Sequence, residues 1–404
     1  MRAARISTAD VAAATQARAP VAETAAAPGR LLFVDNVRWA MILLVLSMHA
    51  ADTYSPLGNW YYTERPAAGP LTTLFFATWQ GFLQAFFMAL LFFVAGYFTP
   101  RSYDARGARS FLSGRLFRLG LPTLLYVAAI GPVTEFYVAH SWHTKQSFAH
   151  EMWLYLVRGR FLSGTGPMWF CAALLIFCFG YAAWRLASRA AAVRQTRAVQ
   201  PTWTGVASAI AALAVSTFLA RVAAPVGTSY FNMQLCDFAS YIIMFGLGVA
   251  AWRGGWLERI TDRFAWTTAG FCVGAAAVTW LPLLALGGAA SGRFADYAGG
   301  LHWQSAAMSF WEALVCVGMA FGVLAVFRRW LNGQGRASKF MSDHAFAVYV
   351  IHPPILIGLA LLISGVTLAP VAKFLMLWGL SAGACFGLAA PLALRIPGLG
   401  RILR

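Results

Sequence analysis

The chain has few charged residues and very few acidic ones. Only 11% of its 404 residues are charged, and 14 acidic residues stand against 31 basic ones, a formal net charge of +17. The hydrophobic fraction of 60% and the mean hydropathy of +0.64 are typical of polytopic membrane proteins. A nucleic-acid-binding protein would need a basic patch on a soluble surface, whereas these arginines cluster between apolar runs. The composition therefore predicts membrane lipids, and not nucleic acid, as the surroundings of the chain.

Several common signatures are also missing. The six cysteines form no CxxC pair and have no histidine at metal-ligand spacing, so we expect small buried hydrophobic residues and no metal. No GxxxxGK[ST] loop occurs, which gives no support to a nucleotide-binding P-loop. The first thirty residues lack the apolar core of a signal peptide. We interpret 1–30 as a disordered cytoplasmic tail and 31–404 as a single membrane domain.

Long apolar runs are the main feature that is present. There are ten of them, and most approach the ~20 residues that an α-helix needs to cross a bilayer. They predict an all-α, polytopic bundle of about ten transmembrane helices. The segments are 31–54, 73–98, 119–138, 166–186, 203–222, 238–252, 266–286, 306–327, 345–363 and 372–394.

The distribution of lysine and arginine predicts the orientation of this bundle. If the N-terminus is cytoplasmic, 24 of the 31 basic residues lie in inner segments and 7 in outer ones. Cytoplasmic loops carry the excess of basic residues in membrane proteins. An even number of spans then returns the C-terminus to the cytoplasm, so both termini are expected there.

The first apolar segment carries ionisable residues that a spanning helix normally excludes. Arg38 and His49 fall on nearly the same helical face, roughly 16 Å apart along the axis. Such residues usually face a bundle interior or a watery cavity. A neutral imidazole suits a general base, although a lone histidine can also make a packing hydrogen bond. Asp52 either orients the ring or faces the outer water.

Two further sets of polar residues are candidates. Arg115 and Arg118 share a face of a predicted helix, and guanidinium groups match phosphate oxygens, although topology alone also favours basic residues there. Glu312 and His352 lie within apolar segments, and Pro353 and Pro354 are expected to break the helix after His352. A Glu–His pair also suits the proton relay of a transporter, so these residues alone do not separate an enzyme from a carrier.

Aromatic residues mark the predicted outer side. Trp60 and Tyr61 lie in the first outer loop among hydrogen-bonding residues, and Trp169 opens the fourth apolar segment. Aromatic rings beside polar groups suit the faces and hydroxyls of a sugar. The alternative is that they anchor helices at the membrane interface.

Five short motifs follow one another along nearly the whole chain, over about 31–394. They are Asp35 with Arg38-x10-His49, Phe92–Phe98, Arg115-x2-Arg118 with Leu119 and Pro122, Gly166–Phe170, and Tyr349–Pro353. In this order they resemble the membrane acyltransferase 3 family, and the Asp-x2-Arg start with a long first outer loop also resembles its glucan-modifying members. The chain departs from the family in having Pro167 and Met168 where a His and a Leu are usual, and Ala95 where a Ser is usual.

The resemblance implies a ten-span enzyme of the bacterial inner membrane. Its members transfer an acyl group, usually acetyl and in some cases succinyl, from cytoplasmic acyl-CoA to a hydroxyl of a periplasmic or cell-surface glycan. The implied donor contacts are Arg38, Arg115 and Arg118. The implied catalytic group is His49, as a base or a transient acyl carrier.

The remaining site residues complete these expectations. Asp52 and Glu312 are expected beside His49, and the acceptor contacts are expected to be Trp60, Tyr61, Trp169 and His352. Two other functions stay open on the residues alone: a secondary transporter that uses Glu312, His49 and His352 as a relay, and a non-catalytic scaffold.

Overall fold

A computed structural model describes residues 31–64, 67–141, 147–162, 164–188 and 200–403. The predicted tail 1–30 lies outside the described residues. The α-helices are α1 Leu32–Tyr54, α2 Pro70–Arg115, α3 Leu121–Leu125, α4 Gly131–Ser141, α5 Phe148–Val157, α6 Trp169–Ser188, α7 Trp203–Ala223, α8 Leu235–Gly254, α9 Trp256–Arg259, α10 Asp262–Leu286, α11 Ala295–Ala298, α12 Trp303–Trp330, α13 Arg336–Leu362, α14 Pro370–Ala384, α15 Ala390–Arg395 and α16 Leu399–Ile402.

Shorter elements connect these helices. Strands β1 Ser229–Tyr230 and β2 Met233–Gln234 form a small antiparallel hairpin. Three π-helical segments interrupt longer helices, at Leu116–Gly120, Tyr126–Ile130 and Cys385–Ala389. Single 3-10 turns occur at Arg160–Leu162, Gly166–Met168 and Ala289–Ser291.

Within the described residues, nine helical stretches are long and apolar enough to cross a membrane. They contain all ten predicted segments, because 73–98 and 119–138 both lie in one stretch, Pro70–Val138. At ~1.5 Å per residue, 69 residues would be about three times the hydrocarbon thickness. The non-helical Gly107, with φ 71° and ψ 166°, interrupts it. The all-α polytopic bundle is confirmed, whereas the number of ten crossings stays a prediction.

Local sequence signals define several helix ends. The side chains of Ser147, Thr202 and Thr261 each accept a hydrogen bond from the backbone N–H three residues later, at the starts of α5, α7 and α10. Gly255 ends α8 in the left-handed conformation, with φ 64°, which glycine adopts without steric cost. These caps satisfy backbone groups that would otherwise lack partners at the helix ends.

Helix α2 crosses α8 at very close range because of two glycines. A Cβ atom on Gly96 would lie 2.1 Å from the Phe245 carbonyl oxygen, and one on Gly248 would lie 2.1 Å from the Phe93 carbonyl oxygen. Small residues allow this approach of helix backbones within a membrane. Gly248 thus packs directly on α2, whereas a Cβ atom on Gly246 would meet no neighbour within 4 Å.

The buried core confirms the prediction made for the cysteines. All six are free thiols, and all are buried. Each of them occupies the bundle as a small apolar side chain.

Candidate active site

The site begins in the last two turns of α1, where His49 and Asp52 lie one turn apart. The Nδ1 atom of His49 is 3.4 Å from Oδ2 of Asp52, and the two side chains are 19% and 14% exposed. Because a carboxylate only accepts hydrogen bonds, the proton of a neutral His49 ring lies on Nδ1. The Nε2 atom then carries the lone pair that a general base needs.

A residue of α2 holds the carboxylate in place. Gln80 Nε2 donates a hydrogen bond of 2.7 Å to Oδ1 of Asp52, the oxygen that does not face His49. Gln80 was not among the residues singled out from the sequence. The sequence feature that could have identified it is a glutamine within an apolar run, because polar side chains at membrane depth normally face a partner or a cavity.

The first outer loop folds back over His49. Gly58 lies so close to Asp52 that a Cβ would be 2.0 Å from the Asp52 carbonyl oxygen, and only glycine permits this approach. Two residues later, the Trp60 ring stacks on the His49 ring with centroids 4.1 Å apart and an interplanar angle of 12°. Trp60 therefore covers one face of the imidazole.

His352 reaches the same place from α13. The expectation that Pro353 and Pro354 break this helix is wrong, because α13 continues from Arg336 to Leu362. A proline lacks the N–H that would bind the carbonyl four residues earlier, and Pro353 thereby leaves the Tyr349 carbonyl without its helical donor. The His352 Nδ1 atom replaces that donor at 2.9 Å.

This hydrogen bond also fixes the other nitrogen of the His352 ring. Since a carbonyl oxygen only accepts, Nδ1 carries the proton and Nε2 presents a lone pair in the neutral ring. His352 is fully buried, and its Nε2 has no hydrogen-bond partner among the residues that the structure describes. A buried acceptor without a donor is costly, so this atom marks a position where a ligand group or water would bind.

The three rings form a corner around His49. The centroid of His352 is 5.4 Å from that of His49 and 6.3 Å from that of Trp60, and all three planes agree within 15°. With the His49–Trp60 separation of 4.1 Å, these lengths make a nearly right-angled triangle with His49 at the corner. Trp60 and His352 therefore approach His49 from directions nearly at right angles, with their rings almost parallel to it.

Tyr61 extends the site toward the π-helical segment that follows α3. Its hydroxyl lies 3.4 Å from that of Tyr126, and its ring packs edge-on against Trp60 with centroids 5.5 Å apart. Burial raises the pKa of Tyr61 to about 12, an effect that the Tyr126 hydrogen bond opposes. Tyr61 therefore keeps its proton at physiological pH and can act as a hydrogen-bond donor.

The three arginines predicted to hold the donor lie at the other end of α1 and α2. Arg38 pairs with Asp35 at 3.1 Å and lies over the Phe98 ring at 5.1 Å, and its side chain is 47% exposed. Arg115 ends α2 over the Phe111 ring. Arg118 is exposed and belongs to a π-helical segment, so the assumption that it shares an α-helical face with Arg115 does not hold.

The structure places Glu312 in a different cluster from His49. Arg221 Nη2 donates to both carboxylate oxygens of Glu312, at 2.9 and 2.8 Å, and lies 3.9 Å from Asp237. Gln84 donates to Asp237 at 2.8 Å. Gln80 and Gln84 are one turn apart on α2, so this cluster is the neighbour of the His49–Asp52 pair but separate from it.

Trp169 also lies away from the histidines. Its ring stacks on Tyr241 of α8 with centroids 5.7 Å apart and contacts Phe238 at 6.5 Å. The turn before it does reach α13, because the Tyr349 hydroxyl donates to the Pro167 carbonyl. Trp169 thus packs against α8, and the turn before it contacts α13, the helix that carries His352.

Five of the ten predicted residues therefore form one cluster, and five do not. His49, Asp52, Trp60, Tyr61 and His352 come together near the C-terminal end of α1 and the middle of α13. In the described ranges, no group of three or more His, Cys, Asp and Glu side chains could hold a metal ion. The cluster can accept a proton at His49, stabilise the resulting charge with Asp52, and bind a further donor at His352.

Comparison with known proteins gives one match. A family model described as an acyltransferase domain, Acyl_transf_3, matches residues 31–396. No curated protein and no solved structure matches the chain.

Proposed function

This chain belongs to the acyltransferase 3 family, a family of membrane acyltransferases, and from that premise we propose that it acylates a hydroxyl of a glycan. The donor is acyl-CoA from the cytoplasm, and the group moved is acetyl or succinyl. The acceptor is a glycan in the periplasm or on the surface of a bacterial cell, and the enzyme lies in the inner membrane.

The observation that carries this proposal is the pairing of His49 with Asp52 beneath Trp60. His49 Nε2 takes the proton of the acceptor hydroxyl while that oxygen attacks the thioester carbonyl carbon. Asp52, fixed by Gln80, stabilises the imidazolium that forms. The carbon–sulfur bond then breaks, and the imidazolium returns the proton to the sulfur, giving the ester and free CoA.

The donor would enter from the predicted cytoplasmic end. Arg38 lies on nearly the same face of α1 as His49, eleven residues or ~16 Å away, which suits an extended pantetheine arm between phosphate groups and thioester. Arg38 lies over the Phe98 ring of α2, and the half-buried Arg115 lies over the Phe111 ring of the same helix. We assign the CoA phosphates to these two arginines and, at the surface, to Arg118.

The acceptor would enter from the outer loop side. Trp60 and Tyr61 offer an apolar face and a hydroxyl donor, which match the two sides of a sugar ring. The unpartnered Nε2 of His352 accepts a hydrogen bond from a second polar group of a substrate bound at His49. Trp169 does not reach this position but supports the surrounding helices by stacking on Tyr241 of α8.

Transfer from labelled acyl-CoA tests the proposal. Purified protein is incubated with radiolabelled acetyl-CoA or succinyl-CoA and a glycan extract from a strain that lacks the gene. Labelled glycan is expected with wild type, and His49→Ala should lower the rate by about 10²–10⁴-fold, the contribution of a general base. The matched control is His344→Ala, which removes another histidine on α13.

Donor binding is measured separately. CoA should raise the melting temperature of wild type, and Arg38→Ala and Arg115→Ala should weaken this effect more at low than at high salt. Arg401→Ala removes an exposed arginine outside the proposed site and serves as the control. The proposal fails if no acyl-CoA labels any glycan and if CoA does not stabilise the protein.

A further inference from the structure

An apolar cavity lies at the opposite end of the bundle from His49. It has a volume of about 300 Å³, is partly open to the surface, and is lined by α7, α8, α9, α10 and α12, with Phe33 of α1 and Phe93 of α2 at its inner wall. Its lining is almost entirely apolar and includes Val206, Met244 and Phe321. The cavity is separate from the proposed site, since none of its lining residues belongs to the His49 or Glu312 clusters.

A cavity of this size is expected to hold a ligand. Protein interiors are normally packed to the density of organic crystals and leave few voids larger than a water molecule. An engineered apolar cavity of about half this volume stays dry and binds benzene or xenon. Water has few polar partners along these walls, so the matching ligand is a hydrocarbon.

The mouth of the cavity has the opposite character to its walls. Gln200, Thr202 and Arg328 line it near the start of α7 and the end of α12. Four arginines lie in this region, at 259, 263, 328 and 329, against two acidic residues, Glu258 and Asp262. Asp262 pairs with both Arg328 and Arg329, which leaves the mouth with an excess of positive charge.

The position of the mouth agrees with a lipid-facing site. It lies where α7 and α10 begin and where α8 and α12 end, so all four helices have their termini at this level. The distribution of lysine and arginine predicts that this end is cytoplasmic. Anionic lipids of that leaflet are attracted to basic pockets between membrane helices.

We propose that this cavity binds one acyl chain of an anionic glycerophospholipid, with its phosphate at the arginine-rich mouth. The chain fills the space between Ala209 of α7 and Ala320 of α12 and packs on Phe33 and Phe93. Through these two residues the lipid supports the helices that also carry His49 and Gln80. The inference does not depend on the proposed acyl transfer.

Filling the cavity with a side chain tests the inference. Ala209→Phe places a ring in the cavity, whereas Ala207→Phe places the same ring on the exposed face of α7, two residues away. Both variants and wild type are purified in a mild detergent, and retained lipids are quantified by mass spectrometry. If the new ring displaces only two methylene groups of the lipid chain, the affinity for the lipid should fall about tenfold.

Wild type and Ala207→Phe are expected to retain about one phosphatidylglycerol per chain, since the cavity has room for one, and Ala209→Phe much less. If Ala209→Phe does not fold, Ala320→Phe replaces it. Phosphatidylglycerol should also raise the melting temperature of delipidated wild type more than phosphatidylcholine with the same chains. Equal retention by the filled variants, equal effects of the two lipids, or a dimer that closes the cavity would each overturn the inference.

Discussion

His352 Nδ1 donates a hydrogen bond of 2.9 Å to the carbonyl of Tyr349, which Pro353 leaves without its usual helical donor. The missing N–H of Pro353 thereby determines which nitrogen of the buried His352 ring carries the proton. The ring lies 5.4 Å from that of His49, and its Nε2, which has no partner among the described residues, is available to a substrate bound there. The sequence Tyr-Val-Ile-His-Pro therefore has a physical reason at its fourth and fifth positions.

The first prediction concerns the proline. Pro353→Ala restores an N–H that competes for the Tyr349 carbonyl, so the His352 ring loses its fixed orientation. Loss of one hydrogen bond of ~1.4 kcal/mol corresponds to a rate about tenfold lower. The melting temperature should stay the same or rise, because an interior proline costs a helix ~3 kcal/mol. Initial transfer rates and thermal unfolding of the purified variant measure both effects.

Pro354→Ala is the matched control for that experiment. It restores an N–H to the Val350 carbonyl, which is not the hydrogen-bond partner of the ring nitrogen. We expect it to keep the wild-type rate. Equal losses of activity in both proline variants would show that helix geometry, and not the His352 hydrogen bond, is responsible.

The second prediction concerns Gln80. Gln80→Leu removes the hydrogen bond to Asp52 Oδ1, and Asp52 can then turn away from His49. Hydrogen bonds to charged groups contribute ~1.5–3 kcal/mol, so kcat should fall about 10- to 100-fold. The KM for acyl-CoA should not change, because Gln80 lies far from the arginine end. Steady-state kinetics with labelled donor separate the two constants.

Gln84→Leu is the control for Gln80, one turn away on the same helix. It removes a similar hydrogen bond, to Asp237 in the neighbouring cluster. A loss of stability without a specific fall in kcat is expected. If both leucine variants lower kcat to the same degree, Gln80 has no special role in positioning Asp52.

The parts of this site that are local in the sequence could be predicted, and those that depend on neighbouring helices could not. Arg38, His49 and Asp52 lie on one helix, so helical spacing alone places them. The partner of Glu312 is Arg221, on a helix 91 residues away in the chain, and no spacing rule connects them. The role of Gln80 could not be predicted either, because its hydrogen-bond partner depends on which helix packs against α2.

Two sequence arguments failed for identifiable reasons. Prolines were expected to break α13, but a helix within a bundle tolerates them when another donor serves the freed carbonyl, as His352 does for Tyr349. Arg118 was expected to share a face with Arg115, but the π-helical segment changes the turn between them. Apolar runs, by contrast, predicted the all-α bundle well, because membrane-spanning backbone must satisfy its own hydrogen bonds.

The third prediction concerns the anchor of the outer loop. Lys373 Nζ, almost buried, lies 2.6 Å from Glu64 Oε2 and 5.2 Å from the centre of the Tyr54 ring. Lys373→Met leaves the Glu64 charge without its partner, which should lower the free energy of unfolding by ~3–5 kcal/mol. Because Glu64 lies in the loop that carries Trp60, the KM for the acceptor should rise.

Lys339→Met is the matched control for Lys373. Its ion pair with Asp343 has a similar length of 2.7 Å but is exposed, with side chains 61% and 48% accessible. Exposed pairs contribute at most ~1 kcal/mol, so this variant should unfold almost as wild type does. Thermal unfolding and acceptor titrations on both variants check the difference, and a stable Lys373→Met with an unchanged acceptor KM would contradict the anchoring role.

The fourth prediction separates structure from chemistry at Glu312. Arg221→Met leaves two buried carboxylates uncompensated, and Glu312→Leu leaves Arg221 with only the more distant Asp237. Each single variant should lose ~3–5 kcal/mol of unfolding free energy, whereas the double variant should lose less than the sum, since removal of a whole buried pair is often tolerated. If the pair only joins α7 to α12, the folded double variant should transfer acyl groups at close to the wild-type rate. A double variant that unfolds normally but is inactive would instead place Glu312 among the catalytic residues, as the sequence alone predicted.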